Sequence, residues 1–421
     1  MTDEPRTERL QRLAIGVAAA ANKGRAVLMG TAMAVYIGRV GTPFEVSLVF
    51  TVYWFGLMAF SPVAGAVADV TGRRRAVLVG TALLSTVAIL PLAVVDGVWA
   101  PLAFRGLFAV FAAGFLPVML TVVSERGGST GRGQSLGYFN SMQAVGFMGA
   151  QFFAGVLLGL VAPWALYLFV AGVSAVVFVA VMFVSDPAPP SDTSATLSEV
   201  TSEVRHRLFP AQGNREHLRR NGLRSLYAAV LVRNMTVLGI SSLLPVYLLS
   251  EVGVSEFLMG ILLAINPAAQ MAFMYLFGRV ADGWGRKPLV VAGMAGAGVH
   301  ALVMAAAVLP GTIPLRAVVA AGGLFVLAAA FSAETTGTYA FIGDIAPTAR
   351  ESELMGLHST FRGFGGMVGP PLIGLVATVT TFETAFAAAS LLAFGGTALV
   401  AWRLVESYEG AGTRTTAAPE D

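Results

Sequence analysis

Twelve stretches of about 20 mostly apolar residues recur along this chain, each long enough to cross the hydrocarbon core of a bilayer as a helix. They fall at 13–37, 45–67, 76–95, 100–123, 134–159 and 163–184, then at 225–249, 255–278, 288–309, 315–341, 354–377 and 382–404. Residues 185–224 lie between the two sets. They combine SDPAPPSD, a Ser/Thr-rich stretch and EHLRRNGLR, which reads as a linker able to carry a short amphipathic helix on the membrane surface. The expected organisation is an N-terminal half (1–184), the linker (185–224), a C-terminal half (225–404) and a tail (405–421). The expected fold class is an all-α membrane protein with two pseudo-symmetric six-helix bundles. Charge supports lipid as the solvent: only 12% of residues are charged, against about a quarter in a soluble domain.

The arginines orient the chain. With the N-terminus inside, the inner segments hold Arg6, Arg9, Arg12, Arg73, Arg74, Arg75, Arg126, Arg132, the linker arginines, Arg279, Arg286, Lys287 and Arg350. The outer loops offer Arg39 and little else, so the positive-inside rule puts both termini in the cytoplasm, in a multi-pass cytoplasmic (inner) membrane protein. The opening MTDEPRTERLQRL lacks the basic region and cleavage site of a signal peptide, so the first apolar segment is expected to stay as a spanning helix. The chain has no cysteine, which excludes disulfides and thiolate metal sites. Its four scattered histidines make no zinc site, and no cofactor is expected.

The two halves repeat each other. GAVADVTGRRRAVLVG (65–80) matches GRVADGWGRKPLVVAG (278–293) at an offset of 213. Gly65, Asp69, Gly72, Arg73 and Arg74 thereby fall on Gly278, Asp282, Gly285, Arg286 and Lys287. Arg105 falls on Arg316 at an offset of 211, and Gly137 and Gly146 fall on Gly356 and Gly365 at 219. Paired six-helix halves suit alternating access, in which one half rocks against the other about a central site.

The doubled G-x-x-x-D-x-x-G-R-[RK] run, between the second and third and again between the eighth and ninth segments, resembles the signature of the major facilitator superfamily. The resemblance covers nearly the whole chain. It implies that Asp69 and its neighbours latch the cytoplasmic side shut in the outward-facing state. Physically, the glycines permit a tight turn, Asp69 can meet a helix N-terminus or an arginine, and Arg73 and Arg74 can anchor to anionic headgroups. The arginines also serve plain topology. The fifth segment departs from the Gly-Pro run of many proton-coupled drug exporters: GFMGAQFFAG (146–155) has Ala150 where the proline would stand.

Charge inside a spanning helix is expensive and marks a pathway. Counting residues places Lys23 and Arg25 near mid-depth of the first helix, and Arg105 two turns below the outer surface of the fourth. Arg233 of the seventh, Glu334 of the tenth, and His358 and Arg362 of the eleventh lie in the inner half. The resemblance implies that helices one, four, seven and ten line the cavity. Lys23, Arg25, Arg105, Arg233, Glu334 and Arg362 are therefore the substrate and coupling candidates. Arg233, Glu334 and Arg362 read equally as a structural ion-pair network. Glu334 reads either as a proton-titrating carboxylate or as one held ionised by Arg233.

These features predict a secondary active transporter of a small organic solute, proton-coupled, with a slight lean to efflux. The alternative is uptake of an organic anion through a basic cavity. A non-transporting sensor is a further class, disfavoured by the intact Asp69 and Asp282. An enzyme would need a catalytic constellation that is absent, and no phosphate-binding Gly-rich loop occurs. The expected partners are the solute, protons and the lipid bilayer, with no nucleic acid, and the family default is a monomer.

Overall fold

The computed structural model describes residues 6–186, 197–208, 221–346 and 351–407. Helices α1 (Arg6–Gly38), α2 (Pro43–Thr71), α3 (Arg74–Ile89), α4 (Trp99–Ala112), α5 (Phe115–Arg126), α6 (Gly128–Leu160) and α7 (Pro163–Met182) form the first half. The linker contributes α8 (Leu197–Leu208). The second half holds α9 (Leu223–Tyr247), α10 (Glu256–Trp284), α11 (Arg286–Ala306), α12 (Ile313–Ile345), α13 (Glu351–Val379) and α14 (Phe382–Arg403). All twelve predicted segments are helical. The fourth is α4 and α5 in line, broken at Ala113–Gly114, where Gly114 lies against Ala64 and Thr81.

Local sequence sets the helix ends. Thr42 caps α2 in a reciprocal box with Glu45, and Pro43 occupies the first turn, where its missing N–H costs nothing. Ser255 and Thr381 cap α10 and α14 through their side chains. Gly72 and Gly285 close the α2–α3 and α10–α11 turns at φ 62° and 90°, a region that side chains rarely adopt. The repeat pairs these two glycines, and the backbone shows why both turns need one.

Ten of the membrane-length segments are apolar enough to cross a bilayer by length and composition. α1, with Asn22, Lys23 and Arg25, and α13, with His358 and Arg362, are the other two long helices. The molecule is apolar on its outside: Leu83, Leu84, Val87 and Leu90 on α3 and its end, and Phe152 and Phe153 on α6, are exposed. Lipid satisfies such a surface, so close backbone approach, not solvent exclusion, holds the helices together.

The packing is duplicated. α1 lies on α6 as α9 lies on α13, and α3 on α7 as α11 on α14. Gly146 packs directly on the Ala20 backbone of α1, and Gly365 packs on Leu231 and Asn234 of α9. The glycines that the repeat aligns thus bring the fifth helix onto the first and the eleventh onto the seventh.

The halves meet through α2 with α13 and α6 with α10. At the face opposite the linker, Phe44 N–H donates to Thr378 Oγ1 at 2.8 Å, and Arg39 and Glu256 lie 3.7 Å apart. Gly155 faces Gly260 backbone to backbone, and Ser47 lies under Gly374. Among the described residues, the hydrogen bond and ion pair joining the halves both lie at that end. The molecule is closed there.

Candidate functional site

Arg233 and Glu334 each lie about 15 Å from the linker-face end of α9 and α12, and Arg362 lies as deep in α13, at about 1.5 Å per residue. Equal depth brings them to one level. Arg233 Nη1 stands 3.7 Å from Glu334 Oε2, and both side chains are 1% exposed. His358, one turn below Arg362 on α13 and 1% exposed, places Nε2 3.9 Å from Glu334 Oε1. Its ring meets Tyr339 edge-on at 5.3 Å. The hydroxyls of Thr335 and Thr338 donate to the carboxylate at 3.3 and 3.2 Å. Nothing in the sequence position of His358 signals this; α12 packed beside α13 produces it.

Arg362 makes no ion pair with Glu334. Its guanidinium lies over the ring of Phe331 at 5.4 Å, and Arg233 lies over the same ring at 5.5 Å. Across the interface, the Lys23 ammonium sits 5.2 Å from the centre of the Phe147 ring, within electrostatic reach of Arg362. Both Lys23 and Arg362 are half-buried, and among the described residues neither makes an ion pair with a carboxylate. A cation over a ring gains about 0.5–2 kcal/mol, far less than a buried ion pair demands in compensation.

Arg25 and Arg105 sit elsewhere. Arg25 is fully buried within the first half. Its Nη1 donates to Ser85 Oγ at 2.8 Å and Ser174 Oγ at 2.6 Å, and its Nε and Nη2 donate to Asn22 Oδ1. It therefore joins α1, α3 and α7 through neutral partners. Arg105, 2% exposed, donates to the Ala26 carbonyl at 3.1 Å and stacks over Tyr53 at 4.4 Å. Gly30 leaves room for this approach: a Cβ there would stand 3.0 Å from Arg105 Nη2. The repeat partner Arg316 is shallower, half-buried, and bonds the carbonyls of Pro310 and Glu251.

The paired sequence runs occupy the linker face. Asp69 accepts from Arg207 of α8 at 2.8 Å and lies 3.8 Å from Arg74. Arg74 also pairs with Glu125 at 2.6 Å and approaches Asp186 at 3.7 Å. Burial opposes the charge of Arg207, yet its bonds to Asp69 and Glu203 outweigh that and hold the guanidinium above its ordinary range. Arg73 is exposed at the head of α3, and Gly65 is buried where Arg207 crosses α2. In the second copy, Arg286 pairs with Asp344 at 3.0 Å. The Glu406 carboxylate accepts from the Arg286 and Lys287 backbone N–H groups at 2.9 and 3.0 Å, so it caps α11. Gly278 is half-buried on α10; the side chain of Asp282 lies outside the described residues.

A profile of the Major Facilitator Superfamily matches residues 13–332 and 226–419. The chain belongs to that superfamily. It is a multi-pass membrane transporter and not an enzyme, and its ligand class is a small solute. A putative metabolite transport protein of Haemophilus influenzae is 26% identical over 330 residues, 78% of this chain and 79% of that protein. The class G tetracycline resistance protein of Vibrio anguillarum is 27% identical over 177 residues, 40% of this chain and 42% of that one.

Solved structures of the superfamily share the fold. A bacterial homologue of the human lysosomal transporter Spinster, in an inward-facing and occupied conformation, superposes with a TM-score of 0.76 at 14% identity, over 94% of this chain and 97% of that one. The nucleoside transporter NupG gives 0.69 at 14% identity, over 94% and 99%. An apolar groove between α1 and α7 of this superfamily member is lined by Leu13, Val17, Val176 and Phe183, with no charged residue in its lining.

Proposed function

We propose that the chain is a secondary active transporter that carries an organic anion between its two halves by alternating access. The charge balance of the interior supports this reading. Lys23, Arg25, Arg105, Arg233 and Arg362 lie within the spanning helices, and among the described residues Glu334 is the one carboxylate at those depths. Arg233 already stands beside it, and among the described residues the other four cations make no ion pair with a carboxylate. Fixed positive charge offsets the desolvation of an anion and repels a cation, so the site selects a carboxylate-bearing or similar solute.

Lys23 and Arg362 are the contact residues. They approach from opposite halves, and an anion between them turns repulsion across the interface into attraction. Closure around the solute follows from that sign change. Arg25 and Arg105 set the positive potential of the first half from behind. Taking the linker face as cytoplasmic, as the arginine distribution predicts, the conformation is inward-facing, with Asp69 held by Arg207 while the cytoplasmic side is open. The division at the linker gives two six-helix bodies that rock as units in a monomer in the cytoplasmic membrane, driven by protons.

Efflux of amphipathic compounds is a second reading, supported by the likeness to the tetracycline resistance protein over part of the chain. The test is solute-induced pH change in vesicles that contain the purified protein and a pH dye. Organic anions are expected to give a signal that Lys23→Gln and Arg362→Gln each abolish. A signal confined to cationic amphiphiles and insensitive to both substitutions would refute the anion reading.

A further inference from the structure

We infer that His358 is the residue that takes up the coupling proton, and that its protonation releases Arg233 for the solute. This rests on the anion-transport reading and supplies its proton step. Glu334 stands between two nitrogen groups, 3.7 Å from Arg233 Nη1 and 3.9 Å from His358 Nε2, and is hydrogen-bonded to neither. All three guanidinium nitrogens of Arg233 and both ring nitrogens of His358 are buried without a hydrogen-bond partner. Buried polar groups are nearly always bonded, and so many open donors around one carboxylate describe a cluster held between two arrangements. Thr335 and Thr338 fix the carboxylate itself. What can change is which nitrogen group closes on it.

Only the imidazole of this cluster ordinarily changes charge between about pH 5 and 8; a guanidinium stays charged. With a neutral ring, Arg233 is the nearest counter-charge of Glu334 and is committed to it. A proton from water in the linker-face opening adds to the free ring nitrogen. Nε2–H then closes on Oε1, Glu334 is neutralised by His358, and the Arg233 donors turn to the solute. The proton leaves from the same atom later in the cycle, and no other bond changes. One proton with one anionic charge leaves the interior charge unchanged.

The surroundings agree with this role. α12 presents Glu334 and Tyr339 to the ring, α9 presents Arg233, and α13 itself carries Arg362 one turn away. On α2, Glu45 and Asp69 lie toward the ends and Tyr53 sits against Arg105; on α14, Glu383 and Arg403 lie at the ends. An anion bound beside Arg233 and Arg362 adds a negative charge next to the ring. By linkage, anion and proton therefore favour each other.

The test is acid-minus-neutral infrared difference spectroscopy of the membrane-reconstituted protein, without solute, between about pH 5 and 8. His206 and His217 of the linker are first replaced by glutamine, and the remaining histidines are isotope-labelled. A label-shifted imidazole signal is expected, lost in His358→Gln and in His358→Asn. The carboxyl region is expected to be the same with and without Glu334→Gln. No label-shifted signal at all, its persistence in the His358 variants, or a protonated-carboxyl band that Glu334→Gln removes would each overturn the inference. Because no solute is present, failure of the anion-transport reading in the vesicle assay is a separate result.

Discussion

Valine at Gly155 is the sharpest test of how the closed face is held. A Cβ at Gly155 would lie 2.6 Å from the Glu256 carbonyl oxygen and 2.7 Å from Gly260 Cα, both backbone atoms of the other half. Neither atom can yield by a rotamer change, so the halves must part at that face or bear the strain. Overpacking of this kind costs about 1–3 kcal/mol. The cost falls on the closed-face conformation alone, because the contact lies between the halves and not within either. The population open at that face should rise about 5- to 150-fold.

The cysteine-free chain offers a direct readout. Ser47 is fully buried beneath Gly374 at the closed end, so a thiol in Ser47→Cys reacts with an impermeant maleimide only when that face opens. The labelling rate from that side should increase by the same factor in Gly155→Val. Gly159→Val is the control, since a Cβ there meets only Glu256 Cβ, at 4.0 Å. Equal labelling rates for Gly155→Val and the parent, in monodisperse protein, would refute the account of closure.

Gly146→Val and Gly365→Val drive a side chain into the backbone of α1 and of α9 or its Asn234, respectively. Each is expected to abolish monodisperse elution, whereas Gly149→Val, with nothing within 4 Å of the added atom, is tolerated. Gly72→Ala forces a side chain to φ 62° and should cost about 1–2 kcal/mol, read as a lower thermal midpoint in detergent. Arg207→Ala removes a pair whose side chains are 31% and 40% exposed. Such pairs contribute about 1 kcal/mol or less, so that midpoint should barely move, while α8 becomes more accessible to protease.

The sequence by itself determined the spans and the glycine framework of this transporter. A 20-residue apolar run is a local signal, and bilayer thickness fixes what it must become. The equivalence of Gly146 with Gly365, and of Gly72 with Gly285, is legible because each pair answers the same steric demand in both copies. The sequence also placed Lys23 and Arg25 together near mid-depth of the first helix. It did not show which one faces the other half.

Tertiary packing decided that. The rotation of α1 against α3, α6 and α7 turns Arg25 toward Ser85 and Ser174 and leaves Lys23 toward Phe147 and Arg362. The neighbours of Glu334 come from α9, far upstream in the chain, and from α13, the next helix, and their common depth brings Arg233 and His358 to its two oxygens. Residue type announced a charge in the membrane. The axial register of three helices chose the atoms that charge would meet, because an ion-pair distance is fixed to within about an ångström while a helix advances about 1.5 Å per residue.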